Sequence, residues 1–215
     1  MNNSEKISEI AELAYKDFEA RTLARDNALT QARSLTRHAA NAIRAIHRNE
    51  QELAHGHLSE AKAIVEKLRD GLRDFPDLYY AGYTQDAIKE YCEATLTCAF
   101  IEGEVIPAPA EMDVPYSTYL RGMAETPGEL RRRCMDILRM GYSDDAENLL
   151  EQMDDIYSIL ITMDYPDAVT NGLRRQTDLL RGIVERTRAD LTLSLREEKL
   201  KSMLQKAVDV FSENQ

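Results

Sequence analysis

Apolar residues in this chain recur at intervals of three and four. From Ser4 to about Glu50 neither Gly nor Pro interrupts, and Ile7, Ile10, Ala14, Phe18, Leu29, Leu35, Ala39, Ile43 and Ile46 trace one stripe. That period predicts a single long helix with a buried face. A second helix is expected from Leu58 to Leu72, with Ile64, Val65 and Leu68 inward. Asp74-Phe-Pro-Asp77 reads as a break, and a third helix is expected over 84–102. Pro107, Pro109 and Pro115 then make a stretch that no helix crosses. A fourth helix is expected from Tyr116 to Met140, interrupted near Pro127 and ended by Gly141. Ser143, followed by Asp144, Asp145 and Glu147, reads as an N-cap and an acidic first turn. It opens a fifth helix that runs to about Met163. After a break at 164–167 the last helix runs from Pro166 or Asp167 to about Val210. No stretch alternates with the period of a strand. The pattern predicts an all-α fold of six or seven helices in one domain, 1–215. Its first and last helices would each reach about 40 residues, or ~60 Å. Long helices with overhanging apolar stripes need partners, so a homo-oligomer is expected.

Composition narrows the class. The 215 residues carry 27 Lys and Arg against 38 Asp and Glu, a formal net charge of -11. At 43% hydrophobic the chain is too apolar to be disordered. Its three Cys exclude a disulfide framework and suit a reducing cytoplasm; Cys92, Cys98 and Cys134 are expected in the core. No apolar run approaches the ~20 residues of a membrane span, and the polar start is unlike a signal peptide. No membrane partner is therefore expected. The acidic balance argues against a protein that coats nucleic acid with its whole surface, but a local basic face remains compatible with it.

Such a face exists in the first helix. Arg33, Arg37, Asn41, Arg44 and Arg48 step by four, four, three and four, and no acid interrupts between Asp26 and Glu50. Like charges at these spacings repel, and a phosphate backbone would relieve them. A solvated face remains the alternative. Arg131-Arg-Arg133 is a second basic cluster, although three consecutive helical residues diverge. On the last helix Arg174, Asp178, Arg181, Glu185 and Arg188 alternate in sign along one face. This fits either a solvated ion-pair ladder or a subunit seam.

The third helix carries the candidate chemistry. It is apolar almost all round and should be central, yet Glu90 and Glu93 lie one turn apart on it. Buried carboxylates must be paired, protonated or metal-bound. Pairing to Lys89 or Lys67 is one reading. Binding of a hard cation such as Mg²⁺ is the other. Glu125 and Glu129 follow on the fourth helix. Thr126-Pro-Gly-Glu129 fits a capping box with Pro at the first helical position, whereas a helix merely kinked at Pro127 would turn both acids to one site. His55-Gly-His57 looks like a turn and only weakly like a metal grip. Phosphate-loop and nucleophile-elbow motifs are absent.

Glu90-Tyr-Cys-Glu93-Ala94 resembles the Glu-Tyr-x-Glu-Ala motif of Trax, the catalytic member of the translin family. Tyr119-Leu-Arg-Gly-Met-Ala-Glu-Thr-Pro-Gly-Glu-Leu130 resembles the family's Tyr-Leu-x-Gly-x-Ala-Asp-x-x-Gly-Glu-Leu segment. Asp164-Tyr-Pro-Asp-Ala-Val169 and Leu173-Arg-Arg175 are similar to the archaeal branch. The resemblance implies an all-helical fold, a roughly octameric hollow shell and single-stranded RNA or DNA held inside. It also implies Mg²⁺-dependent endoribonuclease activity, with Mn²⁺ as a possible substitute ion. By position, Glu90, Glu93 and Glu125 match the catalytic metal-binding acids, with Glu125 standing where the family has Asp, and Glu129 matches a further acid. Arg33, Arg37, Arg44, Arg48 and Arg131 would contact phosphates. A non-catalytic, translin-like nucleic-acid-binding shell is the alternative.

Overall fold

A computed structural model describes residues 2–213. The chain is helical throughout, with no strand among the described residues. Helix α1 spans Asn3–His47, α2 Gln51–Gly71, α3 Pro76–Tyr79, α4 Gly82–Glu102 and α5 Pro109–Met112. They are followed by α6 Tyr116–Leu138, α7 Asp144–Leu160, α8 Asp167–Thr170 and α9 Leu173–Glu213. The first and last helices have 45 and 41 residues, as the uninterrupted runs predict. The three short helices α3, α5 and α8 occupy the segments read as breaks. Two of them open on proline at the first helical position, where a missing N–H costs nothing.

Two boundaries differ from expectation. Helix α2 begins seven residues earlier than Leu58 and takes in His55-Gly-His57. Ala54 is fully buried and packs with Ala45, Ile46 and Cys98, and this contact outweighs the ~1 kcal/mol that Gly56 costs a helix. Asn49, at φ 60°, makes the turn from α1 instead. Helix α6 runs unbroken through Pro127. Thr126, Pro127 and Leu130 are buried, and Thr126 Oγ1 donates to the Gly122 carbonyl at 3.0 Å. The capping box is therefore not formed. Packing on both sides of the proline holds the helix together, although Pro removes one backbone bond. The last helix starts later than Asp167, because Asn171 and Gly172 adopt left-handed backbone at φ 52° and 83°.

Helix α4 is the central strut. It packs against α1, α2 and α6, while α6 also meets α7 and α9. One core lies among α1, α2, α4 and the start of α6, around Leu35, Val65, Leu68, Ile88, Tyr91, Leu96 and Tyr119. A second lies among α6, α7 and α9, around Leu130, Met153, Leu160, Leu180, Val184 and Leu191. Cys92, Cys98 and Cys134 are free and buried in these cores; burial pushes the Cys92 and Cys98 thiols up to about 12.

Only part of the α1 stripe meets a core. Ala28, Ala32, Leu35, Ala39, Ile43 and Ile46 are buried, but Ile7, Ile10 and Phe18 are exposed. Helix α9 likewise leaves Leu193, Leu200, Met203, Leu204 and Phe211 exposed past Leu191. Among the described residues, no helix is long and apolar enough to cross a membrane.

Candidate metal centre and nucleic-acid face

The site lies where α6 crosses α4. Gly122 makes the crossing close: a Cβ there would sit 2.7 Å from Cys92 Cβ, 2.9 Å from the Lys89 carbonyl and 3.0 Å from the Glu93 amide. With no side chain in the way, the two backbones approach at the level of the α4 acids. Glu125, one turn along α6, is thereby carried to Glu90 and Glu93. Carboxylate oxygens of Glu90, Glu93 and Glu125 all lie within 4.8 Å of one another, and all three side chains are half-buried. Opposite ligands of an octahedral Mg²⁺ are ~4.2 Å apart for bonds of ~2.1 Å. Adjacent ligands of the same ion are ~3.0 Å apart, so the three acids would draw together by up to ~1–2 Å to hold one hard cation, a movement that rotation of Glu side chains supplies.

Each acid has different company. Lys89, 8% exposed, places Nζ 3.0 Å from Glu90 Oε1 and also bonds Glu125 Oε2. Burial alone would lower the Lys89 pKa, but the hydrogen bonds to Glu125 and Glu90 outweigh it and hold it above the usual range. Gln176 of α9 donates through Nε2 to Glu125 Oε1 at 2.8 Å. Among the described residues, no basic group pairs with Glu93 within 4 Å. Burial first, then the carboxylates of Glu90 and Glu125, push Glu93 up to about 8. This is the electrostatic mark of a site short of positive charge.

Glu129 stands apart from the three-acid cluster. His47 of α1 places Nε2 2.6 Å from Glu129 Oε2, and Arg132 lies 3.6 Å from the same oxygen. The His47 hydrogen bond holds Glu129 below the usual carboxylate range. His47 has a side chain only 3% exposed, and its Nδ1 is buried without a partner. The other histidines are dispersed: His55 meets Glu102 at 2.9 Å, and His57 meets His38 at 3.2 Å. His55 and His57 thus engage different partners, and only the acids form a metal-sized group among the described residues.

The basic residues sort into two groups. Arg33, Arg37, Arg44 and Arg48 are exposed, and none meets an acid within 4 Å among the described residues. Arg37 reaches only Ser34, and Arg44 only Asn41. Arg44 lies one turn before His47, so the stripe runs up to the Glu129 side of the site. Arg131, by contrast, is bound to Asp190 at 2.7 Å and to Thr187 at 3.0 Å. It ties α6 to α9 and has its charge already matched. Arg133 bonds Asn49 at 2.9 Å. The alternating stripe on α9 reaches outward as well as along itself, with Arg188 gripping Asp154 of α7 and Glu185.

His47, Gln176 and Gly122 were not singled out from sequence. A glycine inside a helical pattern can have a packing reason, but Gly56 and Gly128 carry the same signal with nothing near a built Cβ, so the pattern does not single out Gly122. Nothing in the sequence linked His47 to Glu129, 82 residues away, or Gln176 to Glu125.

The architecture defines a class: an all-helical bundle with very long terminal helices and a carboxylate cluster between two central ones. No protein-family model matches the chain. It is 30% identical over 184 residues to an uncharacterized protein, MJ0175, of Methanocaldococcus jannaschii, covering 85% of this chain and 81% of that one. Among solved structures, AfC3PO aligns with a TM-score of 0.80 at 31% identity, over 87% of this chain and 97% of that one. AfC3PO bound to duplex RNA aligns equally well. NeC3PO without ligand aligns at 0.74 with 19% identity, a likeness of fold. The chain belongs to the translin/Trax family, as C3PO proteins do.

Proposed function

We propose that this protein binds single-stranded RNA and cleaves it as a divalent-metal-dependent endoribonuclease within a homo-oligomeric shell. The observation that carries the reading is the convergence of Glu90, Glu93 and Glu125 from two helices, with no basic group within 4 Å of the Glu93 carboxylate among the described residues. Oxygen-only donors of this kind suit Mg²⁺ or Mn²⁺. When bound, such an ion activates water and stabilises the charge that develops on a phosphate. The chain's own residues do the rest. Glu90, Glu93 and Glu125 hold the ion, and Gln176 fixes the Glu125 carboxylate. His47 and Arg132 keep Glu129 ionised, and its charge adds to the negative field on Glu93 that favours a cation. The unpaired arginines Arg33, Arg37, Arg44 and Arg48 hold the backbone of the strand along α1. The described surface of α1 before Ala28 and of α9 after Leu191 keeps apolar side chains exposed, which suits assembly with further copies, eight in the family's pattern.

Incubating a fluorescent single-stranded RNA with Mg²⁺ tests the reading. The wild-type chain should cleave it over several turnovers, and Glu93→Ala should lose at least ~10²-fold in rate. Equal cleavage by both proteins removes the assignment. A second reading is a binding shell without turnover. It is favoured by the engagement of Glu125 with both Lys89 and Gln176. It predicts salt-sensitive RNA or DNA binding and no metal-dependent product.

A further inference from the structure

The carboxylate cluster already contains a cation of the protein's own. Lys89 immediately precedes Glu90 on α4, and its ammonium contacts two of the three acids, Glu90 at 3.0 Å and Glu125 on the other helix. It is the most buried lysine of the site, at 8% exposure. A lysine serving only to staple α4 to α6 would need one acid. This one lies between two members of a three-acid group whose oxygens are all within 4.8 Å. With all three acids ionised, as a metal requires, three carboxylates and one ammonium leave two surplus negative charges, and among the described residues no basic group lies within 4 Å of Glu93. A divalent ion would reach all three acids and reduce that surplus. The ammonium and the ion compete for the cluster, because both are positive at short range and because Lys89 and Gln176 between them already take both oxygens of Glu125.

We infer that Lys89 is the resident counter-ion of the cluster, and that a divalent metal loads by exchange with its ammonium rather than by entering a vacant cage. The released side chain has a carboxylate within reach of its flexible stem: Asp86, one turn back on α4, exposed and paired with Arg121 at 2.8 Å. In the metal-free protein Lys89 holds the acids together against their repulsion. It also sets a threshold that a singly charged ion, gaining no charge over the ammonium, does not cross. The inference rests on the metal site proposed above and names the residue that regulates its occupancy.

The test measures Mn²⁺ binding by calorimetry to the purified protein, comparing wild type with Lys89→Met and Lys89→Gln. Both variants should bind Mn²⁺ at least tenfold more tightly. Removing a nearby positive charge could tighten binding without any exchange, so a second readout follows Lys89 itself in the wild-type protein. Acetylation of its amine by a small acylating reagent, read by peptide mass spectrometry, should rise at least fivefold when Mn²⁺ saturates the site. This readout needs no substitution and stands even if the variants fold poorly. Equal affinity in all three proteins, or labelling of Lys89 that saturating Mn²⁺ leaves unchanged, overturns the exchange while leaving the metal site in place. Absence of Mn²⁺ binding in every protein overturns both.

Discussion

At the scale of single residues, Glu93 and Glu129 show how neighbours divide similar carboxylates between different roles. Both lie on the central helices, yet Glu93 is pushed up to about 8 and Glu129 is held low. The difference is company: two acids beside Glu93, and the His47 ring on Glu129. The Glu93 shift has a consequence for stability. Its folded pKa exceeds the unfolded value near 4.3, so between those values the folded state binds the proton that the unfolded state has released. Stability contributed by this group is present below about pH 4 and lost as pH rises towards 8. In metal-free protein, Glu93→Gln should therefore flatten the fall of unfolding free energy between pH 5 and 8, by an amount of order 1–3 kcal/mol. Urea titrations across that range, in the presence of a chelator, measure the difference between the two curves. Identical pH profiles would contradict the Glu93 shift. The acids themselves were legible in the sequence, because three-residue spacing on an apolar helix is a visible anomaly. Of their partners, Lys89 was one of two lysines the sequence offered and it does pair with Glu90 and Glu125, whereas His47 and Gln176 are too remote in sequence to be linked to any acid.

At the scale of elements, one close crossing determines whether the acids meet at all. Glu90 and Glu93 share α4 by local geometry, but Glu125 reaches them only because Gly122 lets α6 lie against α4 at the Lys89 and Glu93 backbone. Gly122→Ala places a methyl group where Cys92 Cβ and two backbone atoms already are. Overpacking of this kind should destabilise the fold by about 1–3 kcal/mol, and the helices should part enough to weaken Mn²⁺ binding severalfold. Thermal unfolding and calorimetry on the same sample check both effects; a variant with unchanged stability would show that the crossing can relax. The paths of α2 and α6 make the same point. Local signals at Gly56 and Pro127 marked a turn and an interruption, and both helices run on regardless. Burial of Ala54 on one and of Thr126 and Leu130 on the other supplies more than the local penalties remove.

At the scale of the whole molecule, charge and apolar surface are both distributed unevenly. The chain is acidic overall at -11, yet four exposed arginines line α1 with no acid within 4 Å among the described residues. If they hold a nucleic-acid strand, affinity must depend on salt through released counterions. Replacing Arg33, Arg37, Arg44 and Arg48 together with Ala should lower the slope of log K against log salt by about 3 for single-stranded RNA, at ~0.7 per contact. Filter binding at several salt concentrations measures it. An unchanged slope would return the stripe to a solvated face. Arg131 replaced alone should instead loosen the α6–α9 contact, because Asp190 and Thr187 already occupy it. The apolar stripe along α1 predicts one buried face with an overhang left for partners, and within the chain the structure buries only its second half. Periodicity reports which residues share a face of a helix; it cannot report how far that helix extends beyond its neighbours.

The all-helical class, the long terminal helices, most of the breaks and the acids on α4 can be read from the chain alone. Each of these follows from interactions within a few residues: helical spacing, proline geometry, caps and charge repeats. Tertiary structure decided which acids converge, which basic groups are already neutralised and which apolar stripe is covered. Those outcomes depend on contacts between helices far apart in the chain, where burial and charge pairing outweigh local preference. The three-acid cluster shows the division: the i, i+3 pair on α4 was visible in the chain itself, and its third member came within 4.8 Å only through the packing of α6.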